Sequence, residues 1–272
     1  MSIILGIDIG GSSTKIVGLG SDGNLMSMLR VRAEDQLTSI YGALGNYLST
    51  NSIALGDVEK IMITGVGSDY VSDNIYGIPV VKIDEFTSVG RGAQYLSGKK
   101  EAVVVSMGTG TALVHAKGQE ITHMGGSGVG GGTIGGLCDK IFGVHRFADL
   151  RKYIDKGDCT KVDLTIADMS RGEIDTLHPK MTAANLANVS GDSTDADMAA
   201  GIVNMVLQTI GTLAVFACSS CGSRTVVLTG ALTTLNQAAP NFALFSELYG
   251  IDFIIPENAT FATCIGAALE GR

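Results

Sequence analysis

Three times in this chain an apolar strand runs straight into a glycine turn, and that pattern restricts the fold more than anything else in the sequence. The stretches are "IILGIDIGGSSTK" (3–15), "AVVVSMGTGTALV" (102–114) and "RTVVLTGAL" (224–232). Apolar runs of this length bounded by glycine read as buried strands. The first strand spans 3–9 and the second 14–20, and "SDGN" at 21–24 predicts a hairpin. A helical stretch follows at about 35–50, then strands at 60–65 and 78–84. Strands alternating with helices make this an α/β chain. At 101–117 the pattern of the N-terminus returns as strand, Gly-Thr turn, strand and polar turn. That weak internal repeat predicts two lobes with related cores, the second beginning near residue 100.

Glycine turns after strands suit phosphate, because they let backbone N–H groups approach an anion closely. In the first turn, Gly10 and Gly11 are flanked by the Ser12, Ser13 and Thr14 hydroxyls and the Lys15 ammonium, all possible donors to phosphate oxygens. Asp8 is a carboxylate in a strand that is otherwise apolar, and holding Mg²⁺ through water explains it. The second turn is Ser106, Gly108, Thr109, Gly110 and Thr111, and the third contains Thr229 and Gly230. Three such turns converging on one polyanion suit a nucleoside triphosphate. No GxxxxGK[ST] appears, and "GIDIGG" lacks the GxGxxG spacing of a dinucleotide fingerprint. An ordinary hairpin in which Asp8 caps a turn remains open for the first stretch alone. The tract "GGSGVGGGTIGGLC" (125–138) reads as a glycine loop feeding a helix that starts near Thr133, with Gly128, Gly130, Gly131 and Gly132 presenting donors to phosphate; a flexible linker is the alternative.

With 37 glycines in 272 residues, glycine is about twice as common as usual, yet it clusters beside strands. The 19 basic and 27 acidic residues give a formal charge of −8, which argues against a nucleic-acid or anionic-membrane surface and favours a small soluble substrate. Five scattered cysteines and no basic, apolar leader predict a reducing cytoplasm without disulfides. The uncharged stretch at 198–223 is long enough to raise a membrane span, but its polar residues and glycines predict a helix buried in the protein or at a subunit contact.

Together, "DIGGSSTK", "SMGTGT" and "VVLTGAL" resemble the two phosphate motifs and the adenosine motif of the acetate and sugar kinase, heat-shock-70 and actin superfamily. More narrowly, the chain resembles the type II, eukaryotic-like pantothenate kinases through "DEF" (84–86), "GGSGVGGGTIGGL" (125–137), "MTAANLANV" (181–189) and "ENATFATCIGAALEG" (257–271). The resemblance implies a two-lobed actin-like ATPase fold, ribonuclease H-like, with ATP and Mg²⁺ in the cleft between the lobes. It also implies transfer of the γ-phosphoryl to the 4′-hydroxyl of pantothenate, the first step of coenzyme A biosynthesis, by a homodimer. The lobes would be 1–95 with the helix near 262–272, and 96–261. On the same grounds Asp8 is the metal-associated aspartate, Lys15 the phosphate-binding lysine and Glu85 the general base. His123, Gly125, Gly126, Thr182 and Asn185 fall at the pantothenate end, with a reach across the dimer one arrangement for the last two.

Other readings of these residues stay open. Glu85 also fits a glutamate pairing with a helix dipole. Thr182 and Asn185 fit a helix cap at Thr182. His123 stands where the family usually has an arginine and cannot clamp a carboxylate as a guanidinium does, which puts the acceptor in doubt. Arg146 is a candidate to replace the lost charge, and a surface strand residue is the plain alternative for His123. In the extended segment around Asp84 and Glu85, neighbours point to opposite faces, so only one is expected to face the cleft. "CSSC" (218–221) has the spacing of a metal or redox pair, which raises an ATP-dependent iron–sulfur activator of 2-hydroxyacyl-CoA dehydratases, although buried thiols are the plainer reading. A kinase of a sugar or another small alcohol is the remaining alternative.

Overall fold

The computed structural model describes residues 2–32, 35–145, 147–169, 178–179 and 181–272. The chain runs through β1 (Ile3–Ile9), β2 (Ser13–Gly20), β3 (Leu25–Arg32), α1 (Gln36–Thr50), β4 (Val58–Thr64), β5 (Asn74–Ile75), β6 (Ile78–Lys82) and α2 (Glu85–Ser97). It continues with β7 (Glu101–Met107), β8 (Thr111–Lys117), β9 (Glu120–Ser127), α3 (Gly131–Phe142), α4 (Phe147–Ile154), β10 (Leu164–Thr165), α5 (Ile166–Met169) and β11 (Thr182–Ala184). The last elements are α6 (Asp195–Cys221), β12 (Thr225–Thr229), α7 (Ala238–Tyr249), β13 (Asp252–Ile254) and α8 (Ala262–Leu269).

The internal repeat is a repeat of topology. One sheet has the order β3-β2-β1-β4-β6-β5 and the other β13-β12-β7-β8-β9. In each, an antiparallel three-strand meander (β1–β3, β7–β9) meets strands that run parallel to its first member (β4 and β6, β12 and β13). Strands β1 and β7 are central and covered on both faces, which is why they are nearly continuously apolar rather than alternating. On β1, Leu5, Ile7 and Ile9 pack with Ile40 and Leu44 of α1. Burying each such side chain contributes about 1.5–3 kcal/mol.

The outer face of the second sheet carries the larger core, in which Val103, Val105 and Met107 of β7 meet α3, α4, α6 and α7. Helix α6 is capped by Thr194, whose hydroxyl accepts from the Asp197 amide while the Asp197 carboxylate returns a bond, and it ends at Gly222. Of its most apolar stretch, 67 % is buried inside the protein. The helix expected in that uncharged segment is therefore a core helix.

Between the sheets lie two helices, each covering the sheet built by the other half of the chain. Helix α8 packs on β1, β2 and β4, with Cys264, Ile265 and Ala268 against Val17 and Leu19. Helix α2 packs on β7, β8, β9 and β12, with Val89 and Ala93 against Val104, Val114 and Val227. The two helices cross at glycine. A Cβ on Gly92 would stand 1.8 Å from the Ala262 carbonyl oxygen, and one on Gly266 would stand 1.7 Å from that of Ser88.

Some local expectations shift. Residues 25–32 form a third strand completing the meander that the "SDGN" turn announced. Helix α3 begins at Gly131, two residues before Thr133, because Gly131 and Gly132 bond the second glycine turn. Thr182 caps no helix; it lies in β11, paired with β10.

The crossing gives a direct stability test. Gly266→Ala should lose about 3 kcal/mol or more in urea unfolding through overpacking. Gly45→Ala, in α1 with nothing within 4 Å of the new methyl, should gain about 0.5–1 kcal/mol.

Candidate functional site

The parallel strands of the first sheet and the first turn of α2 end at one place, where Asp8, Lys15, Thr64 and Glu85 gather. Asp8 faces Lys15 across the β1–β2 ladder, and Lys15 Nζ donates to Asp8 Oδ2 at 2.8 Å. Asp8 is 4 % exposed. A pair so desolvated is weak evidence for stability, and its place at a strand end beside glycine turns points to use. On the other side, Thr64 of β4 stands in register with Asp8, and its buried hydroxyl has no hydrogen-bond partner among the described residues. Gly65 follows with φ 89°, and a Cβ there would lie 2.7 Å from Asp8 Oδ1. Only glycine lets the chain pass so close to the carboxylate.

Glu85 enters this cluster as the first residue of α2. Asp84 is the N-cap, its carboxylate accepting from the Thr87 amide at 2.8 Å. The expectation that Asp84 and Glu85 alternate as in a strand therefore fails: the helix begins at Glu85, and Asp84 is tied to the helix end by its own cap. Glu85 opens to solvent. Surrounding protein and then the Asp8 charge push its carboxyl above the ordinary glutamate range, Lys15 pulls it back, and Asp84 adds a smaller push.

The glycine turns meet opposite this cluster. The Gly10 amide bonds the Ser13 carbonyl at 3.1 Å, closing the first turn. A Cβ on Gly11 would lie 3.8 Å from Thr109 Oγ1, so the first and second turns face each other. In the second turn Gly108 N donates to Gly110 O, while Gly131 N and Gly132 N of α3 donate to the Gly108 and Thr109 carbonyls at 2.9 and 2.8 Å. Thr111 Oγ1 donates to Val129 O. Gly126 and Gly130 press on the Thr111 and Thr109 carbonyls, and Gly230, with φ 91°, on that of Met107. The three turns expected to converge on one ligand are thus adjacent.

Not every expected donor is available there. The amides of Gly10, Gly108, Gly131, Gly132 and Gly230 are committed to protein carbonyls, and that of Gly130 to Thr133 Oγ1. Thr229 Oγ1 donates to Val105 O. Thr14 is fully buried, and strand alternation sends its side chain to the opposite face of β2 from Lys15. Ser13 is buried as well, which leaves Ser12 as the exposed hydroxyl of that turn. The amides of Gly11, Ser12 and Thr109 have no acceptor among the described residues. Ser106 lies at the end of β7 in register with Thr229, and Gly128 is exposed in the loop before α3.

His123 lies on β9, its ring stacked on Phe86 with centroids 3.9 Å apart and planes 8° from parallel. Gly125 and Gly126 follow it on the same strand. Thr182 is engaged elsewhere, its Oγ1 accepting from Asn204 and Gln208 in the middle of α6, while the buried Asn185 Nδ2 has no hydrogen-bond partner among the described residues. Arg146 lies outside the described residues. Cys218 is buried in α6, where desolvation pushes its thiol up to about 12. Thr64, Gly65 and Phe86 had no part in the sequence reading of the site. The signal for the first two was "KIMITG", a fourth strand running into glycine; Phe86 carried none.

Residues 101–242, just over half of the chain, match the family model described as Fumble. The chain belongs to the Fumble family. This member is similar to proteins named type II pantothenate kinase. One, from Bacillus cereus (strain G9842), is 25 % identical over 222 residues, 78 % of each chain. Another, from Oceanobacillus iheyensis, is 27 % identical over 206 residues, covering 72 % of this chain and 77 % of the relative. Among solved structures, the activator of 2-hydroxyisocaproyl-CoA dehydratase from Clostridium difficile with bound ADPNP superposes with a TM-score of 0.70 at 17 % identity, covering 98 % of this chain and 93 % of that one. A ROK family glucokinase from Streptomyces griseus in complex with glucose and AMPPNP gives 0.60 at 13 % identity, covering 98 % of both chains. The Fumble-family chain therefore has the two-lobed α/β fold of the actin-like ATPases, as expected.

The raised Glu85 carboxyl has a thermodynamic consequence. A carboxyl whose folded pKa lies above its unfolded value favours the fold in its protonated form, and that contribution is lost as pH rises through the folded pKa. Glu85→Gln should therefore melt higher than the parent at neutral pH, with the difference vanishing as pH falls below the ordinary carboxylate range in thermal scans.

Proposed function

We propose that this protein transfers the γ-phosphoryl group of ATP to the 4′-hydroxyl of pantothenate, the step that commits pantothenate to coenzyme A. The observation that carries the reading is the Asp8–Lys15 pair, electrostatically coupled to Glu85 in front of facing glycine turns. The likeness to proteins named type II pantothenate kinase supports the choice of acceptor.

In this reading Lys15 and the open amides of Gly11, Ser12 and Thr109 bind and orient the triphosphate. The residues present fit a hydrated divalent ion: Asp8 supplies a carboxylate, and the buried Thr64 hydroxyl beside it has no partner among the described residues. Mg²⁺ held there with the nucleotide would neutralise charge on the phosphate oxygens. Glu85 accepts the proton of the pantothenate hydroxyl as its oxygen bonds to phosphorus and the bond to the ADP oxygen breaks. A carboxyl held above its usual range is a better base than an ordinary glutamate. We assign the adenosine end to the turn around Gly230 and the acceptor side to Gly125 and Gly126. Thr182, whose hydroxyl accepts from Asn204 and Gln208 of α6, is left out of this assignment.

We further take 1–95 with 262–272 as one lobe and 96–261 as the other, with α8 covering the first lobe's sheet and α2 reaching over to the second's, so that closure excludes water from the phosphoryl group. A homodimer in the cytoplasm completes the proposal. The iron–sulfur reading gains nothing from Cys218, a core thiol.

Steady-state kinetics with Mg·ATP and pantothenate test the roles. Glu85→Gln should fold and bind both substrates while kcat falls about 10²–10⁴-fold. Lys15→Ala should lower kcat/KM for ATP about 10–100-fold, the loss of one charge-assisted bond. Parent-like turnover by Glu85→Gln removes Glu85 from the chemistry.

A further inference from the structure

The chemistry proposed above uses Glu85 but leaves open what fixes its carboxylate in space. Asp84 caps α2 without touching the side chain of Glu85, and the next residue, Phe86, has one defined ring partner, His123 of β9. The contact belongs to a two-point docking of α2 on the second sheet. Ile121 and His123 are two apart on β9 and so share a face; they pair with Ala116 and Val114, which lie in the core under α2. Phe86 and Gly90 are four apart and share a face of the helix. Ile121 fits against Gly90, where a Cβ would stand 2.9 Å from two of its carbons. His123 stacks on Phe86 at 3.9 Å. The first contact anchors the second turn of α2, the other its first turn, which carries Glu85. Just past His123 the β8–β9 register shifts, and the strand turns into the glycine tract.

We infer that His123 is a positioning residue: its imidazole, stacked on Phe86, holds the first turn of α2 against β9 and thereby sets where the Glu85 carboxylate stands. The inference rests on Glu85 being the proton acceptor, and it replaces a direct contact between His123 and the acceptor. A flat ring is what the position requires, so an aromatic without ring nitrogens should serve. A residue that binds the acceptor and a residue that aligns the base differ in their kinetics. Loss of the first raises the acceptor's KM; loss of the second lowers kcat.

The experiment compares the parent, His123→Ala, His123→Phe and Phe86→Leu with pantothenate and Mg·ATP. His123→Ala should lower kcat at least about tenfold, since displacement of a reacting group by about 1 Å can cost 10²-fold, while either KM moves less than about twofold. His123→Phe keeps the stack and should return kcat to within about threefold of the parent. Phe86→Leu should resemble His123→Ala, and the double variant should be no worse than either single one, because both remove the same contact. In proton NMR spectra of the parent, one of the four histidines should show ring protons moved upfield by Phe86, a shift absent in Phe86→Leu.

A raised pantothenate KM with kcat preserved in His123→Ala would make the residue an acceptor contact and overturn the inference. Parent-like His123→Ala, failure of His123→Phe to restore kcat in a protein that melts normally, or histidine protons that ignore Phe86→Leu would each do the same. If the parent phosphorylates no pantothenate, the functional reading fails first and the inference falls with it. That outcome is distinct because it is seen before any variant is made.

Discussion

The contact on which the rest of this molecule depends is the crossing of α2 and α8. The Ala262 carbonyl lies where a Gly92 side chain would be, and the Ser88 carbonyl where one on Gly266 would be. Because α8 covers the first sheet and α2 the second, this crossing fixes how the two sheets stand to each other. It also fixes the site. Asp8 belongs to a strand under α8, and Glu85 to the tip of α2, so their coupling is set by helix packing and not by either sheet alone. Packed interfaces of this density do not deform continuously. A methyl group at the crossing would move the proposed base relative to the proposed phosphate site.

Charge in the cleft is arranged on the same frame. Asp8 pairs with Lys15, and Glu85 feels both of them and the charge of Asp84, in a chain of formal charge −8. Such a site repels a bare polyphosphate, and the reading as a Mg·ATP site follows from that imbalance. The glycines divide the remaining work. Those at 130, 131, 132 and 230 let loops stack against one another through carbonyl oxygens, whereas Gly11 stands across from Thr109, where even a Cβ would be 3.8 Å from its hydroxyl. Much of the unusual glycine content thus builds the walls of the cleft, and a smaller part is available to a ligand.

How much of this was legible in the sequence depended on how local the cause was. The strand-to-glycine turns and the repeat of strand, turn and strand are set by near neighbours, and they were readable as such. The Asp8–Lys15 pair was half readable: the residues stood out, while their register needed the hairpin. Asp84 and Glu85 were misjudged as strand neighbours because the boundary of α2 rests on one side-chain cap at Asp84. Ser13 was counted with the open turn because β2 begins one residue earlier than expected, and Thr14, already in the expected strand, is buried on the face away from Lys15. The role of Thr64 and the Phe86–His123 stack were not legible at all. Both arise from pairings between distant segments, β1 with β4 and α2 with β9, that leave no periodic mark. Thr182 was displaced for the same reason, since its partners Asn204 and Gln208 lie on α6.

The central claim is that this cleft phosphorylates pantothenate. The most direct measurement is mass detection of the product formed by purified protein with Mg·ATP and pantothenate, run beside pantetheine and N-acetylglucosamine, with ADP followed in a control lacking acceptor. The account predicts phosphopantothenate formed in step with ADP, and little ADP without acceptor. ADP accumulating equally with no acceptor, and no phosphorylated product from pantothenate, would contradict it.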